Sequence, residues 1–313
     1  MRGAFIQTLI ELAAQDDRVM LLTGDLGYLA FEPFAERFPQ RFFNVGVAEQ
    51  NMMGLATGLA EAGFVPFTYS IVPFAVLRPY EFIRNGPVAH QFPVRIVGMG
   101  GGVEYATNGL THYGLEDIAV CRAQPALSVI APADALQTRT ALRATWNLPG
   151  PIYYRLGKDD VARVPGLDGR FELGRLQLVG QGSDLLFIAL GSVATEVTTA
   201  AALLAAQGIA CTVAILASVN PAPTADLLEL LPRFNTVLTV EVHYRVGGIG
   251  SLVSECAAEN GLPCRVVRCG IQDMPEGLTG SQAYLYQRCG LSAEQLAETG
   301  RQALAHRPPA TAH

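Results

Sequence analysis

The chain has 313 residues, of which 50% are hydrophobic and only 16% charged, with a formal net charge of −6. Typical soluble domains carry about 25% charged residues, so much of this surface is expected to be buried, in large cores or between subunits. The acidic balance argues against a nucleic-acid partner, and an anionic substrate would need locally placed arginines rather than a global field. Six cysteines, at 121, 211, 256, 264, 269 and 289, form no C-x-x-C pair, and the five histidines keep no ligand spacing with them. Reduced thiols in a cytoplasmic protein, and no zinc site, are the expectation. No signal peptide is evident near Met1. The apolar window 198–219 is cut by Gln207-Gly208 into pieces too short to cross a bilayer.

In chain order, residues 4–14 have helical apolar spacing, and 19–22 form a buried-type strand ending in Thr23-Gly24-Asp25-Leu26-Gly27. A short strand, a turn and a helix follow over 42–60. Residues 64–68 read as a strand, 74–89 as a helix with Pro79 as a kink, and 94–98 as a strand. A Gly-rich loop runs from 100 to 114, where glycine lets backbone approach a ligand closely. Then come strand 127–130, helix 133–146 and strand 152–155. The stretch 157–176, rich in charge, Gly and Pro, reads as a linker. Beyond it the alternation resumes: strands at 185–190, 211–216, 237–241 and 265–267, with helices at 194–206, 224–231, 252–259 and 291–304. A Pro/Ala-rich tail begins at 306 and is expected to be loose. Strands alternating with helices imply two doubly wound, mainly parallel α/β domains. The division expected is 1–160 and 178–313, joined by 161–177, the second being the smaller three-layer α/β/α unit.

The organising stretch is Asn44-Val45-Gly46-Val47-Ala48-Glu49-Gln50-Asn51. Glu49 falls where a strand hands over to a helix, at the edge where α/β sheets place ligands. By pattern alone an ordinary acidic residue in a first helical turn is the commoner reading. The stretch resembles the pyrimidine-domain motif of the thiamin-diphosphate-dependent transketolase family. In that family the Glu hydrogen-bonds N1′ of the cofactor's aminopyrimidine and favours the 4′-imino tautomer, which removes the proton from C2. The resemblance gives Glu49 that role. A second motif, Gly109-Leu110-Thr111-His112, resembles the family's Gly-Pro-Thr-His, whose His serves in proton transfer and in polarising the substrate carbonyl. Phe74 resembles the aromatic that packs on the aminopyrimidine ring. Asp25, with its neighbour Leu26, resembles the strand-end segment lying against the cofactor where two subunits meet.

Gly24-Asp25-Leu26 followed by Asn51 mimics the spacing of the family's metal motif, but Leu stands where Gly is required, and no other stretch supplies oxygen ligands around a diphosphate. The resemblance covers the pyrimidine-binding and C-terminal domains. It therefore implies the C-terminal subunit of a split transketolase, with Mg²⁺ and the diphosphate held by an N-terminal partner subunit in an α₂β₂ assembly. Arg2 and Arg155 resemble the two arginines that hold the substrate phosphate. Leu29 and Gly100 depart from a Ser and a His of the family pattern, and Asn108 replaces an acid that reads a substrate hydroxyl, which puts ordinary pentose-phosphate substrates in doubt. Other readings are the β subunit of a 2-oxo-acid dehydrogenase or other thiamin-diphosphate enzyme, and a non-catalytic interaction subunit. Glu241-Val242-His243 and Gly247-Gly248-Ile249-Gly250-Ser251 resemble the family's C-terminal-domain signature, and close packing of helix on strand explains them better than nucleotide binding does.

Overall fold

The computed structural model describes residues 1–275 and 277–305; the tail expected to be loose, from 306, lies outside them. Strands β1 (Val19–Thr23), β2 (Phe42–Asn44), β3 (Val65–Ile71), β4 (Arg95–Met99), β5 (Ser128–Ile130) and β6 (Ile152–Leu156) are all parallel. The second unit contributes β7 (Gln177–Val179), β8 (Leu185–Ala189), β9 (Cys211–Ile215), β10 (Ser218–Asn220), β11 (Thr236–Tyr244) and β12 (Arg265–Ile271). The first sheet runs β10-β5-β6-β4-β3-β1-β2 and the second β12-β11-β8-β9-β7. Two α/β units with mainly parallel sheets are thus what the alternating pattern led one to expect.

Period-2 burial builds both faces of the first sheet. In β1, Val19 and Leu21 face a core with Phe5, Leu9 and Leu142, while Met20 and Leu22 face Met52 and Met53 on the opposite side. Helices Arg2–Gln15 and Ala135–Thr145 cover the former face, and Glu49–Glu61 packs on β3 across the latter. That second core continues through Leu186, Ile188, Leu216 and Val253, so the two units share one apolar cluster. In the second unit, helix Ala194–Ala205 packs on Ala293–Ala305 against the outer face of β8.

Three local readings change. Residues 74–89 form a π-helical turn (Pro73–Leu77), a single α-turn (Tyr80–Ile83) and a second π-helical stretch (Arg84–Val88) rather than a kinked α-helix. Pro79 and Pro87 lack the N–H groups that a regular ladder needs. Strand β7 extends into the expected linker and pairs antiparallel with β9. Strand β10, from the second unit, pairs antiparallel with β5 at the edge of the first sheet. Three-residue strands carry too little periodicity to be read from sequence.

The glycine signature after β11 is a packing device, as expected. The buried Glu241 carboxylate accepts the N–H groups of Ile249 and Gly250, each at 2.8 Å, at the start of helix Ile249–Glu259. Burial holds the Glu241 carboxyl above its usual range, against the pull of these bonds. A Cβ at Gly248 would stand 1.9 Å from the same carboxylate, so only glycine fits there.

Candidate active site at the carboxyl edge of the first sheet

Because β1, β2, β3, β4 and β6 are parallel, their carboxyl ends open on one edge. After β2 the chain crosses to the other side of β1, which makes the β1/β3 boundary a topological switch point, where open α/β sheets bind ligands. Glu49 lies there, as the first residue of helix Glu49–Glu61. It is 1% exposed. Oε1 accepts from the Ser70 hydroxyl of β3 at 3.3 Å, and an added Cβ at Gly24, just past β1, would come within 3.5 Å of it. Its other oxygen accepts from Arg78 Nη1 at 2.6 Å. Arg78 is 38% exposed, so Glu49 is roofed by a side chain at the sheet edge rather than sunk in the core.

Phe74 and His112 adjoin this pair. The Arg78 guanidinium stands 4.4 Å from the Phe74 ring centroid, and the His112 ring meets Phe74 edge-on at 5.2 Å. Glu49, Arg78, Phe74 and His112 thus form one continuous chain of contacts drawn from the ends of β2, β3 and β4. His112 closes a 3₁₀ turn, Leu110–His112, and its Nδ1 lies 2.9 Å from the Thr111 hydroxyl. The loop is pinned through Tyr113, whose hydroxyl lies 2.8 Å from the carbonyls of Ala106 and Leu278, the latter in the second unit. Asn108 is exposed, four residues before His112. Asp25 has φ 56°. Its exposed carboxylate accepts from Asn44 Nδ2 at 3.0 Å and the Tyr28 hydroxyl at 2.9 Å, and these bonds hold it below the usual range. Leu26 is half-buried beside it.

The glycines of the 100–114 loop were expected to admit a ligand. Two of them make room for the protein's own side chains: a Cβ at Gly101 would meet the Arg155 guanidinium at 2.5 Å, and one at Gly114 would meet Val72 at 2.3 Å.

Of the two arginines expected to hold a phosphate, Arg2 is exposed at the start of the first helix, and its charge acts on the Tyr69 and Tyr105 phenols. Arg155 requires a correction. It lies inside β6, 6% exposed, with Nε donating to Asp117 Oδ2 at 2.8 Å and Nη2 donating to the carbonyls of Gly114 (3.1 Å) and Val242 (2.9 Å). A buried guanidinium already spent on a carboxylate and two carbonyls is a clamp between units, not a substrate contact. The basic group that does reach the edge is Lys158, exposed, its Nζ 4.3 Å from the Tyr105 ring centroid. Tyr105 in turn lies 6.0 Å from His112. Lys158 had a legible signal: it stands two residues beyond the strand, where ligand contacts fall, whereas Arg155 sits within a fully buried strand. Arg78 had a weaker one, being four residues after Phe74.

Comparison with known proteins accords with this geometry. Residues 1–163 match the transketolase pyrimidine-binding domain and residues 174–296 the transketolase C-terminal domain. The chain is 33% identical to a 6-deoxy-6-sulfo-D-fructose transketolase subunit of Clostridium sp. (strain MSTE9), over 95% of this chain and 92% of that one. It is also 33% identical to a subunit of the apulose-4-phosphate transketolase of Phocaeicola vulgatus, over 95% of each. A solved structure described as a split-gene transketolase in an inactive β4 tetramer shares 35% identity and a TM-score of 0.89, covering 98% of this chain and 99% of that chain. The chain belongs to the transketolase family, whose members use thiamin diphosphate. It carries the pyrimidine-binding and C-terminal domains, the make-up of a split transketolase's C-terminal subunit.

Among the described residues no helix is long and apolar enough to cross a membrane.

Proposed function

We propose that this chain is the cofactor-activating subunit of a transketolase-like enzyme that transfers a two-carbon ketol unit between sugar or sugar-phosphate substrates. The observation that carries the reading is a buried carboxylate at the switch point whose partner is a planar N–H donor stacked on Phe74. A carboxyl acceptor beside an aromatic face suits an aminopyrimidine, so the residues fit thiamin diphosphate. When bound, the cofactor would supply a nucleophilic carbon for the ketose carbonyl. In this reading Glu49 shares a proton with the ring nitrogen, and Phe74 packs the ring. Asp25 and Leu26 line the cofactor's edge where the two subunits meet. His112 polarises the substrate carbonyl and transfers a proton to and from its oxygen. Asn108 reads a hydroxyl, and Arg2 with Lys158, in place of Arg155, binds the anionic end of the substrate.

An N-terminal partner chain that brings Mg²⁺ and the diphosphate cradle, in an α₂β₂ assembly within the cytoplasm, belongs to the same proposal. Tyr28 (72% exposed), Leu29 (97%) and Val47 (72%) project from the loops that follow the adjacent strands β1 and β2, next to Glu49. Exposed apolar residues grouped around a site favour a covering partner. The inactivity stated for the similar β4 tetramer supports the need for that partner.

The reading is tested by assaying the purified chain with Mg²⁺, cofactor and a panel of ketose donors, alone and with its co-purified partner. Turnover is expected only in the complex, and full activity of the chain alone would refute the two-subunit reading. In the complex, Lys158→Ala should raise KM for a phosphorylated donor about tenfold, the scale of one charge-assisted hydrogen bond, with kcat little changed. A non-phosphorylated donor should show no such rise.

A further inference from the structure

We propose that Arg78 is a removable stand-in for the aminopyrimidine: in the unpartnered chain its guanidinium fills the slot between Glu49 and Phe74, and it leaves when the cofactor ring enters. The inference rests on the reading of Glu49 given above. A guanidinium is flat, carries N–H donors on its rim and stacks on aromatic faces. Arg78 uses all three properties here, donating to Glu49 Oε2 at 2.6 Å while standing 4.4 Å from the Phe74 centroid. An aminopyrimidine would use the same two partners for the same reasons.

The arrangement answers a physical problem in the chain by itself. Glu49 is 1% exposed, and Arg78 is its ion-pair partner among the described residues. A buried carboxylate left alone is costly, far more so than one that keeps a donor. Arg78 supplies that donor until another arrives. Its own position allows departure, since it is 38% exposed and an arginine can turn its head to water without moving the backbone. The backbone beneath is held, with the Arg78 N–H bonded to the Pro73 carbonyl at 3.1 Å across the π-helical turn. Exchange is therefore a side-chain swing. The slot is self-closed without cofactor, and apparent affinity falls by the fraction of chains in which it is open.

The test uses the intact chain without its partner and, as probe, the cofactor's pyrimidine half, 4-amino-5-hydroxymethyl-2-methylpyrimidine, with binding followed by ligand-observed NMR. Arg78→Ala should bind the probe about tenfold more tightly than the wild type, as expected if the slot is open about one time in ten. Adding Glu49→Gln to Arg78→Ala should return binding to the weak level. Ethylguanidinium should compete with the probe in Arg78→Ala and restore the thermal midpoint. If Arg78→Ala binds no better than the wild type while Glu49→Gln still weakens binding, the stand-in role is overturned and the Glu49 reading survives. If Glu49→Gln changes binding in neither background, both fall. Should Arg78→Ala not fold, Arg78→Gln serves in its place: tighter binding than wild type supports the exchange, and equal affinity overturns it.

Discussion

Glu49→Gln in the reconstituted enzyme should slow C2 proton exchange of the bound cofactor by about 10²–10⁴-fold, the range that a positioned proton-transfer group commands. The substitution keeps the shape of the side chain and one acceptor oxygen, which can still take the Ser70 hydroxyl, while an NH2 donor replaces the oxygen that accepts from Arg78. What it removes is the carboxyl's ability to share a proton with a ring nitrogen. The fold should survive, because the charge freed by the change belongs to Arg78, which is 38% exposed and can be solvated, and the cofactor is supplied at saturating concentration to offset the weaker hold on its pyrimidine half. The measurement is deuterium exchange at C2, followed by quench and NMR, with circular dichroism as the control for folding. Exchange at the wild-type rate would take Glu49 out of the mechanism.

The second large effect is on stability. Arg155→Met should destabilise the chain by about 3–5 kcal/mol, the cost of stranding one partner of a buried ion pair. Asp117 is fully buried, with Oδ2 accepting from both Arg155 and the Tyr153 hydroxyl, the latter at 2.7 Å. Its Oδ1 has no hydrogen-bond partner among the described residues, so the carboxylate is already poorly served before Arg155 is taken away. Arg155 also donates to the Val242 carbonyl of β11, so its loss loosens the docking of the second unit on the first. Denaturant unfolding gives the number. The double variant Arg155→Met/Asp117→Leu should recover most of the loss, since an apolar pair of similar volume avoids the stranded charge. A single variant as stable as wild type would return Arg155 to the phosphate-holding role first expected of it.

The fold and half of the candidate site were legible for a common reason: both rest on local patterns. Val19–Thr23 and its counterparts announce themselves by β-branched and apolar runs, and Glu49 by the resemblance of the stretch 44–51 to the family motif. Arg155 was misread because residue type says nothing about direction. An arginine inside a strand faces wherever the sheet's alternation points it, and here that is Asp117, thirty-eight positions earlier in the chain. Gly101 and Gly114 in the 100–114 loop make a similar point, since a glycine's room for close approach does not reveal what approaches.

The sequence by itself determined the two α/β units, the strand-to-helix step that carries Glu49, and the presence of Phe74 and His112 on neighbouring strand ends. The units and the step follow from periodicity and turn chemistry within short windows, whereas the roles of Glu49, Phe74 and His112 are what the resemblance to the transketolase family implies. Only the tertiary structure decided which cation meets which carboxylate: Arg78 with Glu49, Arg155 with Asp117, and Lys158 facing outward over Tyr105. Charge pairing in a folded chain is settled by which groups lose their water together, and that depends on packing between segments far apart in sequence.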